Sequence, residues 1–310
     1  MTDARAWING EFLSFSDMAI PVWDLGVVAG ASVTEMARTF AHQPFRLTNH
    51  IDRLLSSCQE LGFEVPWSAA RLQQIAETLV AENVQRISAS DDLGIVMFVT
   101  AGANRTYLGD GDLPGPTVGV HTFRLPLELW YRSVVDGVRL HVPEIRQIDA
   151  ISLPIHLKTR NRLHWWLADR EAAAVEPGSK ALLLDSADCF TETSTACFYA
   201  VIANRIVTPD HHVLHSMSCR MVEEAAAAAG LEFRRTRIPR EQLAEFSEAF
   251  LTSTPVGIMP VQSINGSPLP VDPDGAFIRM LRNFWKQQTN IDPAQQIINA
   301  AEMVRSERRD

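Results

Sequence analysis

Lysine is nearly missing from this chain. Of 28 lysine and arginine residues in 310, only three are lysines, at positions 158, 180 and 286. Where the sequence needs a surface cation, it uses arginine. Arginine replaces lysine as a charge but not as a nucleophilic amine, because a guanidinium does not deprotonate in proteins. Cysteine is scarce as well. Cys58, Cys189, Cys197 and Cys219 show no C-x-x-C spacing, which argues against the metal and redox motifs of that form and fits free thiols in a reducing, cytoplasmic setting. No apolar run reaches about 18 residues, so no membrane span is expected. The opening "MTDARAWINGEF" has no basic stretch followed by an apolar one, so no signal peptide is expected. The net charge of −9 disfavours a nucleic-acid partner. There is no G-x-S-x-G elbow, no P-loop, no internal repeat and no low-complexity block. "LGDGDLPG" is glycine-rich, but its two aspartates would repel a phosphate and no helix follows, so it reads as a loop. "DHHVLH" gathers His211, His212 and His215 in a turn signal with no carboxylate–histidine helix motif, which does not read as a metal site.

What is present is a core. Hydrophobic residues make up 46% and charged residues 21%, ordinary values for a globular protein, and the length suggests about two domains. "AWINGEFL" signals a tight hairpin at Asn9-Gly10. "ASVTEMARTFAHQPFRL" reads as a second hairpin, turning at His42-Gln43. Asn49 is expected to cap a helix with Ile51, Leu54, Leu55 and Cys58 on one face, and Ser68 to cap another. Two buried strands, "LGIVMFVTAG" and "PTVGVHTFRLP", complete a smaller α+β domain over 1–125. A connector leads into a larger α/β domain over 126–290. Its helix "RNRLHWWLADREAAAV" carries Leu163, Trp166 and Leu167 at helical spacing, and strands and helices alternate up to "FIRMLRNFWKQQ". Residues 291–310 read as a polar tail. The fold class is mixed α/β.

The chemistry lies in a long-range pattern. Lys158 ends an apolar run just before a Trp-rich helix. Taken by itself it would cap a strand or snorkel. Arg53 lies in the first turns of a helix, in "FRLTNHIDRLLSS". Glu192 sits in "CFTETS", "VLHSMSCRMV" opens a helix with small and hydroxyl residues, and Ser253 and Thr254 precede a turn in "LTSTPVGIMPV". An arginine, a helix N-terminus and hydroxyl-bearing turns are what a phosphate monoester needs. A carboxylate to pair with a protonated pyridine nitrogen, plus an amine, completes a pyridoxal phosphate site.

These stretches, over roughly residues 5–285, resemble the class IV (fold-type IV) pyridoxal-phosphate aminotransferases. That group holds branched-chain and D-amino acid aminotransferases, R-selective amine transaminases and aminodeoxychorismate lyase. The resemblance runs from "WINGEF" through "DLGVVAGASVTEMART", "PFRLTNHIDRLLSSCQELG", "KTRNRL", "ALLLDSADCFTETS" and "RIVTPDHHVLHSMS" to "FLTSTPVGIMPVQSINGSPL". It implies a two-domain architecture like that of D-amino acid aminotransferases, with pyridoxal 5'-phosphate in the larger domain and a homodimer. Lys158 matches the Schiff-base lysine and Glu192 the glutamate facing the pyridine nitrogen. Arg53 matches the phosphate-binding arginine of H-x-x-R-L, and Leu214 the leucine packed on the ring. Met217 and Ser218 match the phosphate-binding pair at a helix N-terminus, and Thr254 the last phosphate-binding hydroxyl.

The chain also departs from the family. It has Cys197 where asparagine is common, and Ser216 and Cys219 where glycine and arginine are usual. Leu163 stands at the position of a branched-chain tyrosine. Ala101 stands where D-amino acid enzymes carry a carboxylate-binding arginine. The substrate pocket is thus expected to be rebuilt around an intact cofactor site, with Thr34, Arg38 and Arg105 as candidate substrate residues. The implied activity is transfer of an amino group between an amine or amino acid and a keto acid. A lyase on the same scaffold and a non-catalytic cofactor-binding descendant are the alternatives.

Overall fold

The computed structural model of the chain describes residues 4–269 and 275–307. The chain clusters into two compact units. The first is Met1–Leu125 with Leu157–Asn161, and the second is Pro126–His156 with Arg162–Asp310. The sequence reading put residues 157–161 in the larger domain. They group with the first unit because they pair with one of its strands, as described below.

The first unit contains β1 (Arg5–Ile8), β2 (Glu11–Ser14), α1 (Leu25–Val28), β3 (Ser32–Phe40), β4 (Gln43–Phe45), α2 (Leu47–Glu60), α3 (Ala69–Asn83), β5 (Leu93–Thr100), α4 (Arg105–Leu108) and β6 (Val118–Arg124). The six strands form an antiparallel sheet in the order β2-β1-β6-β5-β3-β4. Side chains alternate across a strand. Val33 and Ala37 of β3, Ile95, Met97 and Val99 of β5 and Val118 and Val120 of β6 therefore share one face. They form a core with Ile51, Leu54 and Cys58 of α2 and Leu72, Ile75 and Leu79 of α3.

The hairpin at Asn9-Gly10 forms as expected. The second hairpin turns one residue earlier than expected. Ala41 and His42 both have positive φ, 47° and 65°, and β4 already begins at Gln43. No glycine or asparagine marks this turn. The Asp92 carboxylate holds it from fifty residues away, accepting from Thr39 Oγ1 at 2.6 Å and from the His42 amide at 3.0 Å. Asn49 is not a cap either. Helix α2 starts at Leu47 after Arg46, which is left-handed with φ 51°. Burial of Leu47 lengthens the inward stripe by one turn. Ser68 caps α3 as expected, accepting from the Arg71 amide at 3.3 Å.

The second unit contains α5 (Tyr131–Val135), β7 (Val138–His141), α6 (Leu163–Val175), β8 (Lys180–Leu184), β9 (Phe190–Thr193), β10 (Cys197–Ile202), β11 (Arg205–Thr208), α7 (Met217–Ala228), β12 (Phe233–Arg235), β13 (Phe246–Ser253), β14 (Gly257–Ile264), β15 (Ser267–Pro268), α8 (Ala276–Thr289) and α9 (Pro293–Glu307). Its mixed sheet runs β12-β11-β10-β13-β14-β7-β8-β9, with β15 on β14. The β11–β12, β14–β7 and β7–β8 pairings are parallel.

Two expectations change here. Leu163, Trp166 and Leu167 do not face the core. They are 64%, 56% and 40% exposed, and α6 instead buries Trp165, Ala168 and Ala172 against Ala181 and Leu183. The helix is apolar nearly all round, so two stripes satisfy the helical period. The alanine stripe allows the closer approach to β8. The expected polar tail is helical over Pro293–Glu307. Asp292 accepts from the amides of Ala294 and Gln295 at 3.0 and 3.3 Å, and proline at the first helical position needs no hydrogen-bond partner. Ala294, Ile297 and Ala301 are buried. Residues 308–310 of that tail lie outside the described residues.

Candidate active site

In the first unit, β3 supplies an acid and α2 supplies its partners. Glu35 follows Val33 on the helix-covered face of β3 and is 1% exposed. Its Oε1 accepts from Arg53 Nε at 2.6 Å. Its Oε2 accepts from Arg53 Nη2 at 2.8 Å and from His50 Nδ1 at 2.7 Å. His50 and Arg53 are three residues apart, so they lie on one side of α2. Burial is the largest single influence on Glu35 and would raise its pKa. The hydrogen bonds from His50 and Arg53, with the Arg53 charge, outweigh it and hold the carboxyl at about 2. Burial pushes His50 below its ordinary value, so the ring is neutral and donates from Nδ1 to the carboxylate. Arg53 is thus held by a bidentate fork while 17% of its side chain stays accessible.

The stretch 157–161 lies alongside the start of β3. The Thr34 amide donates to the Lys158 carbonyl at 2.9 Å, and the Arg160 amide donates to the Ser32 carbonyl at 3.1 Å. Val33 and Thr159 face each other across this bridge. Lys158 is partly buried, and its charge acts on His50. Lys158, Thr34, Arg53 and the unanticipated Glu35 and His50 therefore gather at one end of β3. Glu35 was legible as an acid inside an apolar strand, but only the fold pairs it with H-x-x-R.

Arg38 is elsewhere. It is 1% exposed, its Nη2 faces Asp92 Oδ2 at 3.4 Å, its Nε donates to the Thr39 carbonyl at 2.9 Å and its guanidinium lies 4.0 Å above the Phe40 ring. Burial lowers its pKa to about 10, with Asp92 opposing, so it stays a cation inside a structural pair. This placement removes it from the substrate candidates. Arg105 lies on α4, 71% exposed, 3.8 Å from Asp110, as a surface ion pair.

In the second unit, Glu192 is held on β9 by the Leu214 amide, which donates to its Oε1 at 3.0 Å. Three residues on, Met217 and Ser218 begin α7. The Ser216 hydroxyl caps the helix, accepting from the Cys219 amide at 3.0 Å. Ser216 and Ser218 hydroxyls lie 2.9 Å apart, and Thr252 Oγ1 donates to Ser218 Oγ at 3.1 Å. Thr252 thereby ties the α7 N-terminus to the end of β13, where Ser253 is buried and Thr254 enters the turn. Two of the departures from the family touch each other, with Cys197 Sγ 3.0 Å from Ser216 Oγ. A helix start beside hydroxyls suits an anionic group, and a fixed carboxylate suits a protonated ring nitrogen.

The class IV aminotransferase family model matches residues 32–264, and the chain belongs to that family. Lys158, Arg53, Glu35, Glu192 and the hydroxyls around the start of α7 all lie within this span. A probable branched-chain-amino-acid aminotransferase of Rickettsia felis is 25% identical over 262 residues, covering 84% of this chain and 87% of the relative. A D-alanine aminotransferase of Bacillus licheniformis is 27% identical over 267 residues, covering 84% and 89%. Among solved structures, a T.th. branched-chain amino acid aminotransferase with pyridoxamine 5'-phosphate matches with TM-score 0.81 at 25% identity, over 93% of this chain and 95% of the other.

Proposed function

We propose that this protein is a pyridoxal 5'-phosphate-dependent transaminase that moves an amino group between an amine or amino acid and a keto acid. The observation that carries this reading is the kind of side chain at each position within the family span. An amine stands at 158, an amide-fixed carboxylate at 192, a clamped guanidinium at 53, and hydroxyls at 218, 253 and 254 beside a helix start. These residues fit the cofactor. When bound, pyridoxal phosphate supplies an electron sink for negative charge on the substrate carbon that bears nitrogen.

The chain's own residues do the rest. Arg53, Met217, Ser218, Ser253 and Thr254 would hold the phosphate by charge, amide and hydroxyl donors. Glu192 would stabilise a proton on the ring nitrogen, and Leu214, whose amide fixes Glu192, would pack on the ring. Lys158 Nζ would be the covalent attachment point and then the acid–base group that carries a proton to and from the substrate carbon. We take the two compact units as two domains. A homodimer is supported by the exposed apolar stripe Leu163–Trp166–Leu167 on α6. Four buried free cysteines support a cytoplasmic setting.

The test adds amines and amino acids singly to the holoenzyme and follows conversion of the cofactor absorption to the pyridoxamine form. Wild type should convert with at least one donor, and Lys158→Arg should fold but convert with none. Pyruvate release with no amino acceptor would replace the reading with a lyase. A cofactor mapped to Lys180 or Lys286 after borohydride reduction would refute the assignment of Lys158.

A further inference from the structure

The bridge beside β3 fixes which way the side chains of Thr159 and Arg160 point. Thr159 faces Val33, which lies on the helix-covered face of the sheet. Alternation puts its neighbour Arg160 on the other side, the side of Thr34. Arg160 meets this expectation, since its Nη2 donates to Thr34 Oγ1 at 3.1 Å. Thr34 is itself pinned, its hydroxyl donating to the Met97 carbonyl at 3.0 Å.

Cross-strand pairs extend this face. Thr34 lies opposite Phe98, Phe98 opposite Gly119, and Val96 opposite His121. The Arg160 guanidinium stands 5.7 Å from the centre of the Phe98 ring. A side chain at Gly119 would meet that ring within 2.5 Å, so glycine there lets Phe98 lie flat. The Arg160 charge also acts on His121, whose Nδ1 is buried with no hydrogen-bond partner among the described residues. Ala101, at the end of β5, offers no charge on this part of the unit.

We propose that Arg160 is the specificity-determining residue that binds the substrate carboxylate, held in place by Thr34. The proposal rests on the transaminase reading, because it takes Lys158 as the reacting amine. Lys158 and Arg160 both meet Thr34, whose amide donates to the Lys158 carbonyl and whose hydroxyl accepts from Arg160 Nη2, and both side chains are long. Their heads therefore reach one small molecule that carries an amino group and a carboxylate on the same carbon. A guanidinium presents its N–H groups in a planar fork that matches a carboxylate, and an aromatic face beneath it narrows its orientations. Thr34 then matters as a positioning residue and does not itself need to touch the substrate. The substrate class becomes an α-amino acid, in preference to a simple amine.

Three probes separate the two functional groups. Leucine of either hand carries both, 4-methylvalerate only the carboxylate and isoamylamine only the amine. Holoenzyme and its Arg160→Gln and Arg160→Lys variants are titrated with 4-methylvalerate by calorimetry. Wild type should bind, Arg160→Gln should bind about tenfold to a hundredfold more weakly, and Arg160→Lys, which keeps the charge but not the fork, should fall between the two. In the half-reaction, Arg160→Gln should raise the leucine concentration for half-maximal rate by a similar factor and leave any isoamylamine conversion unchanged. Equal carboxylate affinity in wild type and Arg160→Gln would overturn the proposal. So would a wild type that converts isoamylamine as well as leucine and binds no carboxylate. A holoenzyme that binds 4-methylvalerate through Arg160 but converts no amine would leave this site standing and sink the transaminase reading.

Discussion

Replacing Glu35 with glutamine should be costly in a way the structure quantifies. The carboxylate accepts three hydrogen bonds, two from Arg53 and one from His50. A glutamine keeps the shape but offers one oxygen acceptor and one NH2 donor. At least one N–H of Arg53 or His50 must then face another donor. Two estimates of the cost agree. Holding the Glu35 carboxyl at about 2 against an ordinary 4.5 corresponds to about 3 kcal/mol at 1.36 kcal/mol per pH unit. Removing one partner of a buried pair costs about 3–5 kcal/mol, and the partial exposure of Arg53 favours the lower end. At about 2–4 °C per kcal/mol for a domain of this size, Tm should fall by about 6–12 °C.

The pH dependence has a definite sign. Because the folded-state pKa is depressed, the unfolded chain takes up the proton first as pH falls. The stabilisation from Glu35 is full above pH 4.5 and is lost between pH 4.5 and 2. Calorimetric or urea unfolding of wild type should steepen in that window, and Glu35→Gln should show a flatter profile. A loosened Arg53 should also weaken cofactor binding about tenfold, seen by titrating apoprotein with pyridoxal phosphate. A Glu35→Gln protein with Tm within about 2 °C of wild type, less than the smallest shift expected here, and the same acid profile would refute the reasoning, because the clamp would then carry no energy.

Asp92→Ala leaves the Arg38 guanidinium buried without its carboxylate, so urea unfolding should show a loss of about 3–5 kcal/mol. The double variant Arg38→Met with Asp92→Leu should regain only the part due to the unpaired Arg38 charge, because the Thr39 hydroxyl and the His42 amide still lose their acceptor, and its donor preference should match wild type if Arg38 is purely structural. Trp166→Glu places a charge on the exposed apolar stripe of α6, and if the proposed homodimer forms through that stripe, light scattering should show a shift towards monomer with the fold retained. An unchanged mass would rule out a homodimer built on this stripe.

Much of this protein was legible from local sequence. Asn9-Gly10 specifies its turn because those residues tolerate positive φ. Ser68 specifies a helix start because its hydroxyl satisfies a free amide. The near-absence of lysine made Lys158 conspicuous, and with Arg53, Glu192 and the hydroxyl-rich helix start it was enough to indicate a phosphate-bearing pyridine cofactor. Each of these signals is a matter of chemical type and short-range geometry, which a linear chain already contains.

Tertiary structure decided whatever depends on a partner far along the chain. The turn at Ala41-His42 is set by Asp92, so its position could not be read from the turn residues. Arg38 looked like a substrate ligand until Asp92 was found buried beside it. On α6 two apolar stripes were equally periodic, and only the packing against β8 separates the buried alanines from the exposed Trp166. Glu35 and His50 become a clamp for Arg53 only when a strand and a helix meet, and Arg160 joins Thr34 only because residues 157–161 return to the first unit. Periodicity reports which faces are apolar, whereas pairing across the fold determines which charges are neutralised in the interior and which remain available for chemistry.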